Sequence, residues 1–165
     1  MTLTARTHSV DETKKLAAAI EPCLEAGDVL LLSGELGGGK TAFMQGLAAA
    51  MDITERVTSP TFVLAHTYEG RLRLHHLDVY RLENPREFLD LDLPALLDDG
   101  AITAIEWGER VLQDLPPDYL LIRFRMGRPD EDPDVRLVEV EPVGRSWESR
   151  TDAIAMALEG ARCDA

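Results

Sequence analysis

Lys40 and Thr41 close the stretch Ser33-Gly34-Glu35-Leu36-Gly37-Gly38-Gly39-Lys40-Thr41, which fits G-x-x-x-x-G-K-[ST] with Gly34 and Gly39 as the outer glycines. The chemistry of that spacing is phosphate binding. Successive backbone N–H groups must turn inward toward phosphate oxygens, and the angles and close approach this needs favour glycine. A lysine at position 40 reaches the β- and γ-phosphates, and a hydroxyl at position 41 sits on Mg²⁺. A helix that opens here adds the positive end of its dipole to the anion site.

Two acidic residues downstream stand where such a site needs them. Leu72, Leu74, His76 and Asp78 share one parity, hence one face of a strand. With Leu72 and Leu74 anchored in a core, His76 and Asp78 emerge at the strand end, a good place for a carboxylate of a metal shell. A surface histidine and a turn aspartate are the plainer reading. Ala101-Ile102-Thr103-Ala104-Ile105-Glu106-Trp107-Gly108 is a short apolar run that ends in an acid. The C-terminal end of a buried parallel strand is where ligands bind in such sheets. Glu106 would there hold a metal-bound water or orient the attacking one. Trp107 either borders the site or packs, and residue type alone favours packing. In Val57-Thr58-Ser59-Pro60-Thr61-Phe62 the hydroxyls around a proline make either a turn or a segment that senses the γ-phosphate or the metal-bound water.

The elements that must position these groups follow in order. Residues 2–8 form a short extended segment. Ser9-Val10-Asp11-Glu12 fits a capping box; Leu16, Ile20, Cys23 and Leu24 then share a helix face, with Gly27 as C-cap. Asp28-Val29-Leu30-Leu31-Leu32 is the unbroken apolar run of a buried parallel strand, placed at 29–33. Phe43, Leu47 and Met51 recur at helical spacing, which predicts a helix over 40–51. Phe62 to Tyr68 and Arg71 to Asp78 flank Glu69-Gly70 as a hairpin with a two-residue turn. Asn84-Pro85-Arg86-Glu87 starts a helix anchored by Phe88, Leu91 and Leu93, and Pro94 opens a second short one to about Asp98. Glu83, Glu87, Asp90, Asp92, Asp98 and Asp99 make a charged surface, either a solvated face or a partner surface. Glu109 to Gln113 is a helical turn. Tyr119 to Met126 and Val135 to Val140 alternate as an antiparallel pair around a mobile loop at 127–134. Trp147 to Leu158 is a closing helix with Trp147, Ile154 and Leu158 apolar.

Composition bounds the class. The chain has 165 residues, 45% hydrophobic and 28% charged, the balance of a soluble globular protein with one expected domain over residues 1–165. No apolar run approaches the ~20 residues of a membrane span. Met1-Thr2-Leu3-Thr4-Ala5-Arg6 lacks the apolar core of a signal peptide, so the expected compartment is the cytoplasm. Cys23 and Cys163 suggest neither a disulfide framework nor a zinc site. Thirty acidic against 17 basic side chains leave a net charge of -13. Autonomous nucleic-acid binding rests on basic patches, so any service to nucleic-acid chemistry is expected to run through protein partners.

Four stretches in order resemble one family: Gly34 to Thr41, Thr58-Ser59-Pro60-Thr61-Phe62, His76-Leu77-Asp78-Val79-Tyr80-Arg81-Leu82 and Glu106-Trp107-Gly108. The pattern is similar to the TsaE (YjeE-type) P-loop ATPases of bacterial tRNA threonylcarbamoyladenosine biosynthesis, and it runs through most of residues 9–145. Gly38 stands where the family usually has Ala or Ser, a change expected to loosen the loop without disabling it. The helix from Trp147 onward matches no motif of the family. The resemblance implies an α/β, P-loop NTPase-like fold: a largely parallel central sheet flanked by helices, with added antiparallel strands. It implies ATP and Mg²⁺, and as partners a TsaD-type threonylcarbamoyl transferase and its TsaB-type companion. ATP binding and hydrolysis would support turnover of the modification of adenosine 37 in tRNAs that read codons starting with A. This chain would not itself transfer the threonylcarbamoyl group.

Carried over by position, Gly37, Gly38, Gly39 and Lys40 cradle the phosphates and Leu36 contributes backbone. Thr41 is the direct Mg²⁺ ligand. Asp78 and Glu106 are the acidic groups near the metal and the attacking water, with their relative closeness left open. Thr58 and Ser59 are the switch candidates, and the family pattern moves Trp107 to the border of the site. Arg81 is the nearest arginine in motif, and no arginine finger is assigned. A finger is worth roughly 10³ to 10⁵ in rate, so weak Mg²⁺-dependent hydrolysis that partners stimulate is expected.

Two other classes share a phosphate loop at this size. A small-molecule kinase needs an Arg-rich lid and an acceptor pocket, whereas the loop at 127–134 holds one arginine and four acids. A non-enzymatic nucleotide switch would need binding alone, and a Glu106→Gln variant separates it from a hydrolase.

Overall fold

The apolar run at 29–32 becomes the middle of a sheet because strands cover both its edges and side chains cover both its faces. The structure, a computed structural model, describes residues 1–60, 65–80 and 91–163, without the side chains of 109–111 and 162–163. Its elements are β1 (Leu3–Thr7), α1 (Val10–Ile20), β2 (Val29–Gly34), α2 (Lys40–Ala50), β3 (Ala65–Tyr68), β4 (Leu74–Asp78), α3 (Leu93–Asp98), β5 (Ile102–Glu106), β6 (Tyr119–Met126), β7 (Arg136–Val143) and α4 (Thr151–Cys163). Short 3₁₀ turns lie at Glu21–Cys23, Gly108–Asp114 and Arg145–Arg150.

Among the described residues, one seven-stranded sheet runs in the order β1-β7-β6-β2-β5-β4-β3. The four central strands, β6, β2, β5 and β4, are mutually parallel. β7 and β1 on one side and β3 on the other add antiparallel edges. This is the expected α/β architecture. Leu30 and Leu32 face a core shared with Leu16 and Ile20 of α1, Phe43 and Leu47 of α2, and Ile154 and Leu158 of α4. Val29 and Leu31 face the other way, toward Leu77, Leu93, Ile105 and Leu121. Burial on both faces is why β2 reads as a continuous apolar run.

Several boundaries differ from the sequence expectation, each for a local reason. Ser9 caps α1, its Oγ accepting from the Glu12 N–H at 3.1 Å, but the Glu12 carboxylate accepts from His8 N at 2.7 Å, one residue before the cap. The helix stops at Ile20 because Pro22 enters the 3₁₀ turn that follows, and Gly27, with φ +87°, serves the turn into β2 instead of a C-cap. The β3–β4 hairpin pairs Tyr68 with Leu74, so its connection is 69–73 and not a two-residue turn. There the Arg71 N–H donates to the Met51 carbonyl at 2.7 Å, and a Cβ on Gly70 would lie 2.4 Å from that same oxygen. The segment 127–134, expected to be mobile, is tied down: Gly127 N donates to Val135 O at 3.0 Å, Arg128 N to the Glu131 carboxylate at 2.7 Å, and Glu131 pairs with Arg6 of β1.

The closing segment has a structural role. Arg150 donates to both carboxylate oxygens of Asp28, at 2.6 and 3.0 Å, and to the Cys23 carbonyl at 3.2 Å. Its guanidinium lies 3.8 Å from the centroid of the buried Trp147 ring. These contacts fasten the start of α4 to the turn before β2. The expected start of a strand at Phe62, the helix start at Asn84-Pro85 with Phe88, and the acidic residues Glu83, Glu87 and Asp90 lie outside the described residues. So do Thr61, Arg81 and Leu82. No described helix is long and apolar enough to cross a membrane.

Candidate active site

β2 delivers the phosphate-loop motif at its C-terminal end. Gly39 has φ +114°, left-handed backbone that favours glycine. At Gly34 a Cβ would lie 2.5 Å from the Phe124 carbonyl oxygen of β6, so the loop leaves the sheet by a path open to glycine alone. Lys40 opens α2 and is 6% exposed; its Nζ donates to the Gly34 carbonyl at 2.6 Å and to the Glu35 carbonyl at 3.0 Å. The ammonium therefore sits inside the curve of the loop.

Strand register brings the two carboxylates beside it. Leu32 of β2 pairs with Glu106 of β5, and Glu106 pairs with Asp78 of β4. The three residues form a row across parallel strands, on the face that α2 covers. Both acids are buried, Asp78 at 9% and Glu106 at 3% exposure. Burial pushes the Asp78 carboxyl above the usual carboxylate range, and the Glu106 carboxylate adds to that; the bond from Tyr80 N at 2.9 Å, His76 and Lys40 pull the other way.

Trp107 both packs and borders the site. Its ring lies against the apolar layer of Leu31 and Ile105, 4.8 Å from the Lys40 Nζ and 4.8 Å from the Tyr80 ring. Its backbone has φ +61° and ψ +30°, held by an N–H donated to the Leu32 carbonyl at 2.9 Å. A bulky residue in that region is an outlier, and such strain persists only where its surroundings fix it.

A cleft of about 650 Å³ joins these groups: Glu35 to Ala42, Ser59, Asp78, Tyr80, Glu106 and Trp107 line it, with Val10 at one end. Leu36, Gly37, Gly38, Gly39, Lys40, Thr41, Asp78, Glu106, Trp107 and Ser59 thus come together. Thr58 does not. Its side chain is exposed, and its N–H donates to the Tyr68 hydroxyl at 3.4 Å while Gln45 of α2 holds the Val57 carbonyl at 3.1 Å.

The donor set fits a nucleotide with a hard cation. Loop glycines, a lysine and the first turn of α2 line the cleft, the groups that bind phosphate in such loops. Among the described residues no group of three or more His, Cys, Asp or Glu side chains is arranged to hold a metal unaided. Mg²⁺ does not ask for one, since it is commonly held by one or two carboxylates together with substrate phosphates.

The sequence left His76 between a strand-end position beside Asp78 and a surface residue, and gave no role to Tyr80 or Arg136. His76 is fully buried, with Nε2 2.8 Å from Glu106 Oε1. Its shared parity with Leu72 and Leu74 was a signal for that burial. Arg136 of β7 donates to the Gly37 carbonyl at 3.2 Å across 99 positions of sequence, a contact no local pattern announces.

The structure superposes on the crystal structure of Bacillus subtilis YdiB with a TM-score of 0.80 at 30% identity, covering 94% of this chain and 95% of that one. The tRNA threonylcarbamoyladenosine biosynthesis protein TsaE of Treponema pallidum is 41% identical over 118 residues, 72% of this chain and 87% of that protein. The protein of the same name from Bacillus subtilis is 37% identical over 144 residues, 87% of each. A family model described as threonylcarbamoyl adenosine biosynthesis protein TsaE matches residues 7–133, and with the loop, the carboxylate row and the shared fold in place, the chain belongs to the TsaE family.

Proposed function

We propose that this chain is the ATP-binding and ATP-hydrolysing subunit of the machinery that forms N6-threonylcarbamoyladenosine at position 37 of tRNAs reading codons that start with A. It acts in the cytoplasm as one domain over residues 1–165. It supports turnover by a TsaD-type transferase with its TsaB-type companion and does not itself transfer the threonylcarbamoyl group. The observation that carries the reading is the register row that sets Asp78 and Glu106 side by side next to Lys40, at the end of the strand that feeds the phosphate loop.

In this reading the backbone from Leu36 to Lys40 cradles the phosphates, and the Lys40 ammonium leaves the Gly34 and Glu35 carbonyls for phosphate oxygens. Thr41, with Asp78 and Glu106, would hold Mg²⁺. When bound, that ion neutralises charge on the β- and γ-phosphoryl oxygens. Glu106 orients the attacking water, and burial keeps it from spending its hydrogen bonds on bulk solvent. Ser59, which lines the cleft, senses the γ-phosphate. Trp107 and Tyr80 close the site toward solvent. The acidic balance of the chain supports a role exerted through proteins and not through direct tRNA binding.

The test is ATP turnover by the free chain and by its mixture with the two partner proteins. Slow turnover alone and a large stimulation in the mixture are expected; equal rates would sink the proposal. A Glu106→Gln variant that binds ATP yet supports full tRNA modification would show that hydrolysis is not required.

A further inference from the structure

His76 sits on β4 two residues before Asp78 and faces the same way, at 0% exposure. One ring nitrogen is engaged: Nε2 lies 2.8 Å from Glu106 Oε1. The other is not: Nδ1 is buried and has no hydrogen-bond partner among the described residues. A carboxylate oxygen only accepts, so the hydrogen of this bond belongs to Nε2. A buried polar atom without a partner works against the fold and calls for an explanation. Its neighbours on this face are Leu74 and Asp78 along β4, Ala104 of β5 and His66 of β3, and none of them gives Nδ1 a partner.

We propose that His76 is a positioning residue for Glu106, an inference that rests on Glu106 acting upon the attacking water. The Nε2–H bond fixes one carboxylate oxygen and the rotation of the carboxyl group, which reserves Oε2 for the cleft that Glu106 lines. Asp78 does not offer the same service. Its Oδ1 accepts from Tyr80 N, and it stands in the row beside Glu106 as a second negative charge. The histidine thus acts through Glu106 and touches neither nucleotide nor metal. Its Nδ1 stays unpaired because the ring is placed by the needs of Nε2.

The experiment compares His76→Leu, His76→Gln and Glu106→Gln in the full chain. His76→Leu removes the donor, and a loss of roughly 10- to 100-fold in ATP turnover is expected, the usual range for groups that orient a ligand or acid from behind. The Kd of a non-hydrolysable ATP analogue should stay within about twofold. His76→Gln can place an amide N–H near the Nε2 position and should recover most of the rate. The double variant with Glu106→Gln should be no slower than Glu106→Gln alone. Long-range ¹H–¹⁵N spectra of the protein without nucleotide give an independent readout: His76 should show a protonated Nε2.

Normal turnover in His76→Leu, equal loss in the leucine and glutamine variants, additive loss in the double variant, or an Nε2 without a hydrogen would each overturn the proposal. If His76→Leu does not fold, His76→Asn, whose amide falls near Nδ1 and short of Glu106, replaces it in the comparison with His76→Gln. A Glu106→Gln variant with undiminished turnover would overturn the hydrolytic reading of Glu106 and this inference with it; a crippled Glu106→Gln beside an unaffected His76→Leu overturns the role of His76 alone.

Discussion

His75 and His76 are neighbours on one strand, both buried, and they live in opposite chemical worlds. His75 has both ring nitrogens paired, Nδ1 with Thr67 Oγ1 at 2.9 Å and Nε2 with Asp99 Oδ2 at 2.8 Å. Asp99 in turn accepts from Ala101 N at 2.9 Å and from Arg73 at 3.3 Å. That network ties the beginnings of β4 and β5 to the edge strand β3. His76 faces the other side of the sheet, has one nitrogen paired, and spends it on a carboxylate in the cleft. A fully satisfied polar network rigidifies a fold. A partly satisfied one at the end of parallel strands aims a group. Residue type says nothing about which of the two a histidine will be; the face of the sheet and the end of the strand decide it.

The contrast is broken or sharpened most strongly by the carboxylates to which the two rings bind. Glu106→Gln should lower ATP turnover by roughly 10² to 10⁴, the range for removal of a group that handles the proton of the attacking nucleophile. Asp99→Asn should leave turnover within about twofold, because its charge acts on the far face of the sheet. Steady-state kinetics with and without the partner proteins measures both. Comparable losses in the two variants would erase the distinction drawn between the faces.

The rings themselves should divide in the same way, but on stability. His75→Leu strands the Thr67 hydroxyl and one bond of Asp99, and should cost about 1–3 kcal/mol while sparing turnover. Urea titration checks it. A stable but slow His75→Leu variant would place His75 in the site after all.

How much of this was legible in the sequence follows the same division. The apolar run at 29–32 announced a central strand, because burial on both faces leaves no polar alternation. The parity of Leu74 and Asp78 and the acid ending the run at 102–106 announced two carboxylates at strand ends. What could not be read was long-range. The register that pairs Asp78 with Glu106 depends on strands 28 positions apart finding one another. The bond from His76 to Glu106 and the reach of Arg136 to the Gly37 carbonyl have no local signature at all. The length of the β3–β4 connection was hidden for a similar reason, since the Met51 carbonyl that shapes it comes from the end of α2. Local chemistry marked the helix stop at Pro22, where Gly27 drew the eye instead.

Two aspartates carry the comparison into pH dependence with opposite signs. The Asp99 carboxyl is held below the usual range, first by the Ala101 N–H and then by His75 and Arg73 against some burial. Its contribution is present above the unfolded-state pKa and is lost as pH falls through the folded value. Asp78 is raised, chiefly by burial. A raised carboxyl favours folding when protonated, and that advantage is lost as pH rises through its folded value, so the ionised group works against the fold at neutral pH. Asp78→Asn should therefore raise the melting temperature of the nucleotide-free protein at pH 7.5, by less at pH 5, while Asp99→Asn lowers it at both. Each kcal/mol is worth about 2–4 °C at this chain length. A lower melting temperature for Asp78→Asn at pH 7.5 would show that its ionised form is better paired than its surroundings indicate.

The smallest expected effect lies in the phosphate loop. Gly38 occupies a position where an added Cβ would come 2.9 Å from the Glu35 carbonyl oxygen and 3.4 Å from Phe124 Cβ, and its φ is not positive. Gly38→Ala would restrict the unfolded chain, which favours folding by about 0.4–1 kcal/mol. Against that, a Cβ 2.9 Å from a backbone carbonyl oxygen is closer than such contacts come, so the backbone at Glu35 must shift, and this oxygen also accepts from Gly38 N at 3.0 Å and from the Lys40 Nζ at 3.0 Å. The clash should outweigh the entropic gain by a small margin, for a net loss of about 1 kcal/mol, with a slight change in how Lys40 is held. Gly39→Ala makes the informative partner, because φ +114° forces strain of roughly 1–2 kcal/mol on any other residue. Denaturant melts of the two variants and their ATP-analogue affinities decide the matter. If Gly38→Ala is as damaging as Gly39→Ala, the loop tolerates no side chain at either position, and the glycine at 38 is a requirement of this chain's loop path and not a neutral departure from the family pattern.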